Sequence, residues 1–228
     1  MCGRFVISKA GSSLLPDLLG HPAEIKPDFN VAPTRQVAAV RQWEGERVMP
    51  LVHWGYVPGW AKDFKKQRPQ PINARLETVA TSPMFRKSFA SHRGVIPADG
   101  YFEWTVTETG KQPHFIYEPG AGLAMAAIIS AWADPAKDED DPDKWRLSAA
   151  IITRDSHVAP GEVHDRMPAL LSPDAYDDWL GDHLGPDELL QLLERESHAA
   201  AHGLEHYEVS RDVNNVRNNG EQLLERLA

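Results

Sequence analysis

Leu123-Ala124-Met125-Ala126-Ala127-Ile128-Ile129-Ser130-Ala131-Trp132 is an almost unbroken apolar run, and Leu147-Ser148-Ala149-Ala150-Ile151-Ile152-Thr153 is a second. Short apolar runs that do not alternate with polar residues read as buried strands. Between them lies Asp134-Pro135-Ala136-Lys137-Asp138-Glu139-Asp140-Asp141-Pro142-Asp143. This stretch is acidic and bounded by proline, so it is expected as an exposed loop. A hairpin with a long acidic loop accounts for the pattern more simply than a domain boundary, so residues 1–228 are expected as a single domain. Upstream, the β-rich stretches Val48–Val57, Val95–Ala98 and Tyr101–Val106 alternate with Pro and Gly. Downstream, Ser172-Pro173-Asp174 supplies a helix start, and Gly185-Pro186-Asp187-Glu188 opens a second helix that should stop at Gly203. Leu204–Ser210 then reads as a closing strand. The expectation is a mixed α+β fold in which a sheet dominates and the helices are peripheral.

The chain has 228 residues, of which 42% are apolar and 25% charged, the balance of a soluble globular protein. At this length folding buries roughly 70–75% of the unfolded surface. No run of 18 apolar residues suits a membrane crossing, so no membrane partner is expected. The start, Met1-Cys2-Gly3-Arg4, has no apolar signal core, which points to the cytoplasm. Cys2 is the single cysteine, which excludes intramolecular disulfides and multi-cysteine metal sites. The net charge of −9 is unevenly spread. Residues 1–100 carry 14 basic and 8 acidic side chains, and residues 101–228 carry 10 and 25. Lys62, Lys65, Lys66, Arg68, Arg75, Arg86, Lys87 and Arg93 crowd into 62–93 with two acids. This stretch is either a solvated loop or a basic face that attracts a polyanion locally, because screening confines each field to about 10 Å.

Cys2 is the most informative residue. Removal of Met1 by an aminopeptidase would leave it with a free α-amine beside its thiol. Their reference pKa values, about 7.7–8.0 and about 8.5, put both within reach of neutral chemistry. Such a 1,2-aminothiol condenses with an aldehyde to a Schiff base and closes a thiazolidine, and it also suits an acyl-transfer nucleophile. Glu103 interrupts the aromatic run Tyr101-Phe102-Glu103-Trp104. In a central strand burial would raise its pKa and make it a general acid/base; at an edge it would be solvated. His164 in Glu162-Val163-His164-Asp165-Arg166-Met167-Pro168 can shuttle protons, and Arg166 can hold an anion. Asn73 and Arg75 offer a hydrogen-bonding amide and an anion-binding fork. His198, His202 and His206 are spaced by four, but Gly203 should end the helix before His206, so no metal is expected. Pro119-Gly120-Ala121-Gly122 matches no phosphate loop and no dinucleotide fingerprint, and no cofactor is expected.

Six stretches occur in one order: Cys2-Gly3-Arg4-Phe5, Phe29-Asn30-Val31-Ala32-Pro33-Thr34, Trp54-Gly55-Tyr56-Val57-Pro58, Asn73-Ala74-Arg75-Leu76-Glu77-Thr78, Ile96-Pro97-Ala98-Asp99-Gly100-Tyr101-Phe102-Glu103-Trp104 and His164-Asp165-Arg166-Met167-Pro168. The series resembles the SRAP family (SOS response-associated peptidase domain), which shields abasic sites in single-stranded DNA, and it covers nearly the whole chain. The resemblance implies a single α+β domain with a β-barrel-like core and a positively charged DNA groove; the chain is expected as a monomer. It implies that Cys2 forms the covalent bond, that Asn73 helps hold the N-terminal residue and the opened sugar, and that Glu103 acts as acid/base. His164 would assist proton transfer, including reversal. Arg4, Arg75 and Arg166 would contact phosphates. Gly94 departs from relatives that often have cysteine there, which leaves these roles untouched.

On the residues alone this reading is coherent. An abasic site equilibrates with a ring-opened aldehyde, the electrophile that a 1,2-aminothiol traps. The basic 62–93 stretch supplies phosphate attraction, and Trp54 and Trp60 are either stacking platforms for unpaired bases or core residues. The competing reading is an N-terminal-nucleophile cysteine hydrolase, a peptidase or amidohydrolase using the amine as base. A third is a non-covalent single-strand binding module in which Cys2 is incidental.

Overall fold

The computed structural model describes residues 2–156 and 161–227. Its strands are β1 (Phe5–Ile7), β2 (Asp28–Val31), β3 (Gln36–Ala38), β4 (Arg41–Trp43), β5 (Glu46–Val48), β6 (Leu51–Trp54) and β7 (Asn73–Arg75), then β8 (Arg93–Ala98), β9 (Gly100–Thr107), β10 (Gly110–Tyr117), β11 (Leu123–Ala133), β12 (Trp145–Asp155), β13 (Arg166–Pro168) and β14 (Glu205–Glu208). The helices are α1 (Lys9–Ser12), α2 (Leu15–Leu19), α3 (Leu76–Val79), α4 (Arg86–Ser91), α5 (Tyr176–Leu180) and α6 (Pro186–Ala201). Only α6 runs beyond two turns among the described residues.

The two apolar runs form the expected antiparallel hairpin, β11–β12, with Ala127 opposite Ile151 and Trp132 opposite Arg146. The acidic loop between them is tied off internally: Lys137 to Asp141 at 3.0 Å, Lys144 to Glu139 at 2.9 Å and Arg146 to Asp134 at 3.0 Å. The runs are continuous because both faces are covered. Met125, Ala127, Ile129, Ala149 and Ile151 face one core, and Ala124, Ala126, Ile128, Ala150 and Ile152 face another, which α2, α5 and α6 close. A sheet covered on both sides loses the period-2 alternation of a half-exposed one.

This sheet has the order β3-β6-β12-β11-β8, with β7 and β13 also pairing β12. It is mixed, since β6 and β7 run parallel to β12 and the other pairs are antiparallel. A second sheet, β14-β10-β9-β1-β2, is antiparallel throughout. The two curl around one shared core, to which β1, β9 and β10 contribute Phe5, Tyr101 and Ile116. The architecture is thus α+β with a barrel-like sheet core. Gly100 permits the step from β8 into β9, because a Cβ there would lie 2.5 Å from the Ile116 carbonyl oxygen.

Two local expectations are corrected. Val48–Val57 is not one strand: β5 ends at Val48 and β6 starts at Leu51, with Pro50 in the break. The Ser172-Pro173 start opens a 3-10 turn, Pro173–Ala175, before α5. The second helix, α6, opens on Pro186 with Glu188 closing back onto the Gly185 N–H, and ends at Ala201.

Candidate functional site

Cys2 precedes β1, whose antiparallel register with β9 sets Phe5 against Tyr101 and ties the Arg4 carbonyl to the Phe102 N–H at 2.9 Å. Carried two residues outward, that register lays Gly3 and Cys2 beside Glu103 and Trp104. Cys2 is fully buried in the core shared by the two sheets. From the opposite sheet, Asn73 on β7 donates its Nδ2 hydrogen to the Cys2 carbonyl at 3.0 Å. Ala74 packs into the helix-covered core, which leaves Asn73 and Arg75 on the other face of the strand. The Asn73 Oδ1 is buried and accepts no hydrogen bond from the described residues.

Alternation along β9 puts Tyr101 and Glu103 on the inner face, while Phe102 enters a third core against Val209 and Val213. Glu103 is 3% exposed. Burial pushes its carboxyl up to about 7, and the Asp165 charge adds to the rise. Burial also pushes the Cys2 thiol well up, with Glu103 adding to it, so the sulfur is held as S–H. Tyr101 was not singled out from the sequence, yet its hydroxyl is buried without a hydrogen-bond partner among the described residues. Its pKa is raised by burial and then by Cys2 and Glu103, so the three groups share one electrostatic neighbourhood.

His164 sits in the turn before β13, where Val163 and Met167 drop into the core that holds Cys2. Its Nδ1 accepts the Arg166 backbone N–H at 2.9 Å, and the Asp165 carboxylate lies 2.9 Å from the same nitrogen. The two contacts demand opposite protonation of Nδ1. Burial lowers the His164 pKa and Asp165 is largely in water, so the neutral ring with its proton on Nε2 is the form that fits.

The structure separates the three arginines. Arg75 is exposed, and its side chain makes no hydrogen bond or ion pair with the described residues. Arg4 donates to Asn30 Oδ1 at 2.7 Å and to the Val213 carbonyl at 2.8 Å. Asn30, itself buried, donates to the Asn215 and Asn218 carbonyls, so the pair clamps the C-terminal segment. Arg166 is a correction. Its buried guanidinium is committed to Glu77, Asp155 and the Thr153 carbonyl, which leaves it no fork for a phosphate.

Trp54 is a second correction. It is wholly buried against Phe5, its indole N–H bonded to the Ile72 carbonyl at 3.0 Å, and it presents no face to a base. Trp60 is 68% exposed. Of the basic stretch, Lys62, Lys65, Lys66, Arg68, Arg75, Arg86 and Lys87 are exposed. Arg93 instead turns inward onto the Phe89, Ala90 and Trp179 carbonyls. His206 stands in β14, apart from His198 and His202, and no group of three or more His, Cys, Asp or Glu among the described residues is placed to hold a metal ion. No helix among them is long and apolar enough to cross a membrane.

Residues 1–216 match the family described as SOS response associated peptidase (SRAP). The abasic site processing protein YedK of Escherichia coli is 33% identical over 233 residues, covering 99% of each chain. The abasic site processing protein YoqW of Bacillus subtilis is 32% identical over 232 residues, again covering 99% of each. A crystal structure of a Bacteroides thetaiotaomicron protein superposes with a TM-score of 0.80 at 22% identity, over the full length of both chains.

Proposed function

The chain belongs to the SOS response-associated peptidase family, and from that premise we propose that it captures abasic sites in single-stranded DNA covalently through Cys2. The relatives named above are abasic site processing proteins. The observation that carries the proposal is the buried meeting of Cys2, Asn73, Tyr101 and Glu103 at the end of the shared core. The whole span acts as a single monomeric domain. Met1, whose removal frees the Cys2 amine, lies outside the described residues.

The amine attacks C1′ of the ring-opened sugar, and the carbonyl oxygen leaves as water to give a Schiff base. The thiol then adds to the same carbon, its proton passing to nitrogen, and closes a five-membered thiazolidine. Glu103, poised near 7, takes the proton from the amine and returns one to the departing oxygen. The amide of Asn73 holds the backbone of Cys2, and its unpartnered Oδ1 is an acceptor for the freed amine or a sugar hydroxyl. A thiol held as S–H suits this order, with amine first and sulfur second. His164, neutral at rest, is the proton donor that reopens the ring once it has taken up a second proton, with Nδ1–H then paired to Asp165 2.9 Å away. Arg75 and the exposed lysines hold phosphates, and Trp60 is the base-stacking surface.

Intact mass spectrometry of the processed protein mixed with abasic single-stranded DNA tests the reading. The expected species is protein plus DNA minus one water, absent with undamaged DNA and abolished as a heat-stable product in Cys2→Ala. A stable adduct of unchanged yield in Cys2→Ala sinks the role of the thiol. Ammonia released from an amide substrate without any DNA adduct would instead identify an amidohydrolase.

A further inference from the structure

The turn that carries His164 is held from outside its own sheet. Glu162, two residues before His164, accepts a hydrogen bond from His206 Nε2 at 2.7 Å. His206 belongs to β14, the edge strand of the antiparallel sheet, whereas the turn leads into β13 of the mixed sheet. The contact spans 44 residues of sequence and closes the rim between the two sheets.

The His206 ring is itself fixed. It packs edge-on to His114, with centroids 5.4 Å apart, and the His114 Nε2 lies 3.0 Å from the Thr105 hydroxyl. Both histidines leave a buried Nδ1 without a hydrogen bond to the described residues. Packing alone would be served better by a phenylalanine, which buries no such nitrogen. What a histidine at 206 adds is the Nε2–H aimed at Glu162. His114 also stands directly opposite Glu103 in the β9–β10 register, so the His114–His206 pair and Glu103 line one inner face.

We propose that His206 is a positioning residue for the reaction: through Glu162 it sets where the His164 ring stands relative to Cys2 and Glu103. The proposal rests on the reading of His164 as the proton donor in adduct reversal. Loss of the tether lets the turn drift, and an error of about 1 Å at a catalytic group can cost as much as 10²-fold in rate.

Five variants separate the possibilities: His206→Phe and Glu162→Ala cut the tether, Glu162→Gln keeps an Oε1 acceptor, and His164→Ala and the His206→Phe/Glu162→Ala double variant serve as references. Release from a pre-formed adduct is measured by gel, with excess fresh abasic DNA trapping freed protein, and the His164 imidazole signals are read by NMR without DNA. Expected are a several-fold to roughly 10²-fold slower release in both tether variants, no further loss in the double variant, and near-normal release in Glu162→Gln. The His164 signals should shift in the tether variants and return in Glu162→Gln. Normal release in His206→Phe while His164→Ala is slow overturns the tether and leaves the His164 reading intact. Release by Glu162→Gln as slow as by Glu162→Ala also overturns it, because charge rather than the hydrogen bond would then matter. Normal release in His164→Ala removes the catalytic reading instead, and unchanged His164 signals in His206→Phe then dispose of the tether as well.

Discussion

Replacing Glu103 by glutamine should make the protein slower and more stable at once. Burial lifts the carboxyl from its ordinary 4.5 to about 7. A carboxyl whose folded pKa lies above its unfolded one binds its proton more tightly in the folded state. The contribution of Glu103 to stability is therefore greatest below 4.5, declines as pH rises from there to 7, and stays at the lower level above 7. At about 1.4 kcal/mol per unit, the shift amounts to about 3 kcal/mol at pH 8 and under about 1 kcal/mol at pH 5. Glu103→Gln keeps the shape and removes the titration. It should be about 3 kcal/mol more stable than the parent at pH 8, a rise of roughly 6–12 °C in melting temperature for a chain of this length. At pH 5 most of that gain should vanish. Crosslinking to abasic DNA should slow by roughly 10²–10⁴-fold if the carboxylate is a full acid/base catalyst. Paired urea melts at the two pH values and a gel time course on the same preparations measure all three quantities. A Glu103→Gln protein no more stable than the parent at pH 8, or stabilised equally at both pH values, refutes the buried-carboxylate argument. Crosslinking at the parental rate refutes the acid/base role independently.

The arginines should divide by burial rather than by charge. Arg75→Ala should leave the melting curve nearly unchanged and flatten the slope of log affinity against log salt by about 0.7, the single-strand value for one phosphate contact. Arg166→Ala should lower stability by about 1.5–3 kcal/mol, because Glu77, Asp155 and the Thr153 carbonyl lose their donor. The same salt slope in both variants would contradict the division. For the tryptophans, Trp54→Ala should destabilise by about 3–5 kcal/mol, as buried aromatic truncations do. Trp60→Ala should instead weaken single-strand binding by about 1–3 kcal/mol with little change in melting, checked by fluorescence titration and thermal scans.

The sequence alone carried those features that depend on a position or on a local period. Cys2 is marked by standing at position 2. Six motifs in fixed order identify the family from one end of the chain to nearly the other. The sandwiched hairpin is legible because residues facing two cores must be apolar at every position, and α6 because Gly185-Pro186 and Glu188 bracket its start. The inward aim of Glu103 was not legible: aromatic residues fill both faces of β9, so the pattern Tyr-Phe-Glu-Trp has no apolar phase to read. Nor could charge separate Arg75 from Arg4, Arg93 and Arg166, since a guanidinium looks the same in sequence whether it meets solvent or a ring of carbonyls and carboxylates. Trp54 and Trp60 differ only in what folds over them. Asn73 reaches Cys2 across 71 residues and His206 reaches Glu162 across 44. Local propensity fixes which face a side chain takes on its own strand, but the register between two sheets fixes what that face meets, and the site is made of such meetings.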